Sequence, residues 1–408
     1  MRFGAPMRRR FGLEPGVAFL NHGSFGAVPR AVSAAEARWR ARMEANPDAF
    51  LRWTLPRALR ASAAELARFL RARGEDTVFV ENATAGVNAV LRSVRLRPGD
   101  EVLATSHVYG AVRQAIREAC ARSGARAAEA RIELPAASSD SLAHAVTGAF
   151  TRRTRLLVLD HVASPTGLVF PVRRIAAAAR RRGIRVLVDG AHAPGQLPLD
   201  VPGLGADWYA GNCHKWLFAA RGCGFLWARP SAQAGLHPTS ISHGYGRGLA
   251  AEFDWTGTRD FSPWLALPEA LRFHRALGTA RMRAWNHRLA TGAAAALAAA
   301  WGTRVDAPPA LHGAMAAVRL PDRLQGRDAP GLMESFYRRS RVIAAVAEIG
   351  GELWARISAQ VYNAPGDYAR LDRAVRRAAA SARSTPAPSP RRLPAGSAPS
   401  ARRGRRCT

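Results

Sequence analysis

The chain has 408 residues, 48% of them hydrophobic, enough to bury a large core and to form two or three structural units. No apolar run approaches the roughly 18 residues that a membrane span needs, and the opening MRFGAPMRRRFGLEPG lacks an apolar signal-peptide core, so a cytoplasmic protein with no membrane partner is expected. The formal charge of +30 raises nucleic acid as a partner, but 59 of the 60 basic residues are arginine, which reads as coding bias. They are dispersed along helical stretches such as 173–182 and in the terminal segments, not gathered beside stacking aromatics, so no specific nucleic-acid partner is expected. Four scattered cysteines (Cys120, Cys213, Cys223, Cys407) form no CxxC pair and no metal-spaced cluster, which argues against disulfides and structural metal.

In chain order, residues 1–30 form a loop-like segment containing FLNHGSFGAVPR. From 31 to 73 an Ala/Arg/Leu-rich stretch has helical periodicity with interruptions near Pro47 and Pro56. Short aliphatic runs then alternate with helical ones. The strands are TVFV (77–80), EVLATS (101–106), RLLVLD (155–160), RVLVDG (185–190) and GFLWA (224–228), with Ala-rich helices near 85–95, 110–123, 141–150 and 172–182. Strands alternating with crossover helices predict an α/β fold with a largely parallel sheet covered on both faces. After about 270 helices dominate to about 300, and a smaller α+β region carries strand-like AAVRL (316–320) and WARIS (354–358). The expected division is an N-terminal segment 1–30, a large domain 31–270, a small domain 271–378 and a disordered Pro/Ser/Arg-rich tail 379–408.

The chemistry centres on RVLVDGAHAPGQLPLDVPGLGADWYAGNCHKWLFAARGCGFLWAR (185–229). A strand ends in Asp189, and farther along, between His214 and Trp216, stands Lys215, the only lysine in the chain. Ligands of open α/β sheets sit beyond the carboxyl ends of strands. A carboxylate there and a lysine on a Gly-rich turn are what pyridoxal 5′-phosphate (PLP) needs. The amine must be deprotonated to form an imine, which desolvation favours, and the carboxylate must keep the ring nitrogen protonated. The bland alternative is a turn-capping aspartate and a surface lysine. Against it, every other basic position has gone to arginine, which cannot form this imine.

This stretch resembles the active-site signature of the class V aminotransferases, of PLP fold type I. From FLNHGSFG to RISAQVYN (356–363) the chain resembles their isopenicillin N epimerase branch, over about residues 15–378. The resemblance implies a large PLP-binding domain with a smaller C-terminal α+β domain, and a homodimer with a shared active site. It makes Lys215 the Schiff-base lysine, pairs Asp189 with the ring nitrogen, and sets His192 near the cofactor's phenolic oxygen, with His214 and Asn212 near its phosphate.

The other motifs fall into the same frame. In ENATAGVNAVL (81–91), Thr84 and the amides of Ala85 and Gly86 would meet the phosphate at a helix N-terminus, although Asn and Thr are also ordinary N-caps. In TSHVYG (105–110), His107 matches the ring that stacks on the cofactor, while Tyr109 matches an aromatic of the epimerase branch. Ser164 or Thr166 of DHVASPTG (160–167) would touch the cofactor's phenolic side or the substrate, or SPTG would simply form a turn. Gly257 and Thr258 of DWTGTRD (254–260) would reach the phosphate in the neighbouring subunit. Arg259 and Asp260 there could equally be a local ion pair. Arg356 matches the arginine that clamps the substrate α-carboxylate, and Asn21, His22 and Gly23 would border the substrate pocket.

With Arg356 holding a small amino-acid-like substrate, Lys215 would remove its α-proton as general base. Return of that proton to the opposite face gives epimerisation, with Tyr109 and His107 as candidate second acids. Loss of a β-substituent would make a C–S or C–C lyase, and proton delivery to the cofactor a transaminase. Desulfurase chemistry is not expected, because no cysteine lies between Cys223 and Cys407. A noncatalytic Arg-rich binding protein on a decayed PLP fold would have lost the lysine or the aspartate, and both are present.

Overall fold

The computed structural model describes residues 2–381. Its centre is a seven-stranded sheet of β1 (Thr77–Val80), β2 (Glu101–Thr105), β3 (Arg126–Ala130), β4 (Thr154–Asp160), β5 (Arg185–Gly190), β6 (Trp208–Asn212) and β7 (Gly224–Ala228), in the order β1-β7-β6-β5-β4-β2-β3. Only β7 runs antiparallel to its neighbours. The central strands β4 and β5 are buried apart from an exposed arginine near the start of each, Arg155 and Arg185, and their Val/Leu runs follow from burial on both faces. Phe79, Leu103, Leu157 and Val186 point to one side. Val78, Val102, Leu156 and Leu187 point to the other, where they pack with residues of Ala83–Ser93 and Gly110–Ser123. This is the α/β architecture of PLP fold type I.

Two strands of the sheet escape the sequence pattern. β3, Arg-Ala-Ala-Glu-Ala, is a largely exposed edge strand without aliphatic residues, and β6, Trp-Tyr-Ala-Gly-Asn, is fully buried but broken in character by glycine. The helical stretch after residue 30 breaks at Asn46 and changes type just before Pro56, where a π-helical segment, Phe50–Thr54, gives way to the α-helix Leu55–Leu70.

A second sheet of β8 (Met315–Arg319), β9 (Ala345–Ile349) and β10 (Glu352–Ser358) has the antiparallel order β9-β10-β8 and packs on Thr279–Trp301. The N-terminal segment is tied to this region by the parallel pairing of Ala18–Phe19 with Val342–Ile343. The closing helix runs from Pro365 to Ser381, so 379–381 are helical; the remainder of the predicted tail lies outside the described residues. No described helix is long and apolar enough to cross a membrane.

Candidate active site

All the parallel strands except the edge strand β3 deliver a polar group at their carboxyl ends: Asn82 and Thr84 after β1, His107 after β2, Asp160 at β4, Asp189 at β5 and Asn212 at β6. Lys215 follows β6 on a turn wedged between other backbone segments. The Lys215 carbonyl meets His22 Nε2 at 3.0 Å, and His22 Nδ1 lies 2.8 Å from Tyr362 Oη. Gly26 (φ +70°) passes so close that a Cβ there would fall on the His214 carbonyl, and Gly195 (φ +90°) abuts the Trp216 carbonyl in the same way. Only glycine fits these two approaches without displacing the lysine.

The Lys215 amine lies 3.2 Å from His192 Nε2. Burial lowers its pKa to about 8, against the pull of Asp189, with nearby Arg356 adding to the fall. Asp189 is 3% exposed. Burial raises its carboxyl, while the Ala191 amide, donating to Oδ1 at 2.9 Å, and Lys215 hold it down. Burial also pushes His192 well below the usual imidazole range and His214 to about 4, so both rings are neutral.

Arg356, on β10, reaches back across both sheets. Its Nη1 donates to the Ser164 carbonyl, and Nη2 donates to Asn21 Oδ1 (2.7 Å) and Ser24 Oγ (2.9 Å), while buried Nε has no partner. Arg356, Asn21, Ser24, Ser164, His107 and Tyr109 line one cavity of about 990 Å³ between the two sheets. Within it Tyr109 is 45% exposed and His107 is 2% exposed. Both His107 ring nitrogens lack partners, and burial takes its pKa to about 4.

Several predicted residues do other work than expected. The Ala85 amide is capped by Asn82 Oδ1 (2.9 Å) and the Gly86 amide bonds the Asn82 carbonyl, so neither is free, and half-buried Thr84 is the polar group left at that turn. Asn212 Oδ1 accepts from the Ala83 amide (2.8 Å), which fixes the helix end beside the lysine turn. His22 is fully buried as a brace for Lys215 rather than lining the cavity, and Gly23 donates its amide to Ser358 Oγ. Gly257 is half-buried and Thr258 exposed, both outside this cavity. Arg259 pairs with Glu81 and Asp260 with Arg40, not with each other. Sequence reading passed over Ser24, Tyr362 and Asp160, each inside a quoted motif but distinguished only by its partners in space.

The residues present fit PLP. Orphaned buried polar atoms cluster here: both His107 nitrogens, His192 Nδ1, Asp160 Oδ2 and Arg356 Nε. Buried polar groups without partners are rare, and these surround one amine and one carboxylate.

A family model, Aminotransferase class-V, matches residues 26–326. Isopenicillin N epimerase of Amycolatopsis lactamdurans is 37% identical over 392 residues, spanning 91% of this chain and 98% of that protein. L-cysteine desulfhydrase of Arabidopsis thaliana is 31% identical over 398 residues, 89% and 88% of the two chains. A solved structure of a mutant of the enzyme C-DES, with glycine covalently linked to its PLP cofactor, superposes with a TM-score of 0.76 at 22% identity, covering 90% of this chain and 98% of the other. The chain therefore belongs to the class V aminotransferases, a family of PLP-dependent enzymes.

Proposed function

We propose that the chain holds PLP on Lys215 and uses it to move the α-proton of an amino acid, with epimerisation as the outcome. The observation that carries this reading is the buried Lys215 amine, lowered to about pH 8, beside His192 and Asp189 and in the field of Arg356. When bound, the cofactor supplies an aldehyde that captures amines and a ring that accepts the electron pair left at Cα. Asp189 would keep the ring nitrogen protonated, His192 would lie toward the phenolic oxygen and His107 against the ring, both imidazoles being neutral. Ser164 touches the substrate side through the carbonyl that orients Arg356. The Arg356 fork binds the α-carboxylate, with Asn21 and Ser24 fixing its plane. Lys215 Nζ takes the α-proton, and Tyr109, exposed in the cavity that Arg356 lines, returns one to the opposite face.

The phosphate would lie between Thr84 and His214, closed by Gly257 and Thr258 of a second copy. Exposed Trp53, Ile241 and Tyr245 support such a homodimer. Buried free Cys120, Cys213 and Cys223 support a reducing, cytoplasmic setting. A division into two domains is supported by the separate cores of the two sheets, with the helix Leu267–Ala276 packing through Leu267, Ala270 and Leu271 in the core of the larger one.

The desulfhydrase relatives favour a second reading, C–S β-elimination. None of the described cysteines lines the cavity, so such cleavage would not pass through a protein thiol. Incubation with amino acids in deuterated water separates the two. Cα exchange with inversion and no keto acid supports the epimerase; pyruvate and sulfide from cysteine support the lyase; a protein that stays colourless with added PLP refutes both.

A further inference from the structure

Asp160 is used by nothing described so far, yet it stands beside the carboxylate on which the site depends. β4 and β5 pair in parallel, and Asp160 is directly opposite Asp189. Alternation along the strands sends both side chains to the face of Leu156, Val158 and Leu187. They are 2% and 3% exposed, and neither belongs to an ion pair among the described residues. Asp160 Oδ2 is buried with no hydrogen-bond partner.

Two carboxylates at neighbouring strand ends, away from water, do not both ionise, because each buried charge costs several kcal/mol and like charges add to it. The proton's place follows from the surroundings. Asp189 has the Ala191 amide and the field of Lys215 to stabilise its charge. Facing Asp160 are Asp189, the Tyr109 amide and, from Gly110–Ser123, Arg113, whose guanidinium is already paired with Glu129 and bonded to the Ser106 carbonyl. Burial first, then Asp189, raises the Asp160 carboxyl well above the carboxylate range. The adjacent His161 alternates to the opposite face and bonds Tyr209 Oη at 3.0 Å, so it does not compete.

We propose that Asp160 is a positioning residue that stays protonated at neutral pH and donates from its carboxyl to Asp189, holding one oriented negative charge where the cofactor's ring nitrogen binds. This rests on the reading that Asp189 faces that nitrogen. A second ionised carboxylate would overcharge the site, and an apolar residue would leave Asp189 free to turn or to take up a proton itself.

Two measurements test it. The first needs no cofactor: the infrared difference between wild-type apoprotein and Asp160→Asn at neutral pH should contain the carbonyl stretch of a protonated carboxylic acid. Its absence overturns the proposal and leaves the PLP reading intact. The second is PLP affinity, read by absorbance titration of apoprotein. Asp160→Asn, which keeps a donor of the same shape, should bind within about threefold of wild type, whereas Asp160→Leu should bind roughly 10- to 100-fold more weakly, the usual loss for an outer-shell partner. Equal loss in both variants would mean that charge at Asp160 is required. Wild-type affinity in Asp160→Leu would mean that Asp160 only fills space. Either result overturns the positioning role, and near-ultraviolet circular dichroism checks that each variant is folded.

Discussion

Replacing Arg356 by glutamine tests the substrate clamp. Wild-type Arg356 is 5% exposed, its guanidinium held by the Ser164 carbonyl, Asn21 and Ser24, with buried Nε unpaired. Burial lowers its pKa to about 10, so it remains charged at neutral pH. Two hydrogen bonds from a charged fork to a carboxylate contribute about 3 to 5 kcal/mol in such a site. At tenfold per 1.4 kcal/mol, kcat/KM for an α-amino acid should fall by about two to three and a half powers of ten. The matching amine without the α-carboxylate has nothing to lose, so its slow reaction with the cofactor should change by less than about threefold, within the spread of ordinary surface effects. The assay is kcat/KM for both compounds on wild type and variant, by Cα–deuterium exchange. If the amine and the amino acid fall together, Arg356 is a structural strut between the sheets and not a carboxylate clamp.

Three other outcomes follow from the same geometry. Tyr109→Phe should retain Cα exchange but lose inversion by about 10²-fold or more, because general acid catalysis contributes about that much; chiral chromatography of the exchanged product checks it. The Lys215 amine must be neutral to attack an aldehyde, so capture of PLP by apoprotein should accelerate about tenfold per pH unit up to about 8 and level off above it. Stopped-flow absorbance from pH 6 to 10 reads this, and a plateau only near the ordinary lysine value would refute the burial argument. Gly26→Ala should cost more stability than Gly16→Ala, although both have positive φ. A Cβ at Gly26 meets the His214 backbone whereas Gly16 faces open space, and the strained backbone alone costs about 1–3 kcal/mol; thermal unfolding of the two variants compares them.

Much of the fold was legible because buried parallel strands write themselves as aliphatic runs. β2, β4, β5 and the helices between them lie within a few residues of where the pattern put them. Edge strand β3 has no such run, and β9, Ala-Val-Ala-Glu-Ile, buries only Val346 fully and so carries no continuous aliphatic signal. In the site, Lys215 and Asp189 stood out by residue type and strand position, and Arg356 by motif alone. What sequence could not show was use in space. Ala85 and Asn212 are spent on helix capping, His22 braces the lysine turn, and Asp160 acquires meaning only through its register with Asp189.

Whether Lys215 carries the cofactor is read by borohydride reduction of the PLP-loaded protein followed by peptide mass mapping. One reduced pyridoxyl adduct per chain is expected, on the peptide containing Lys215, and none in Lys215→Arg. An unlabelled wild-type chain, or an adduct that persists in the variant, would contradict that role of Lys215.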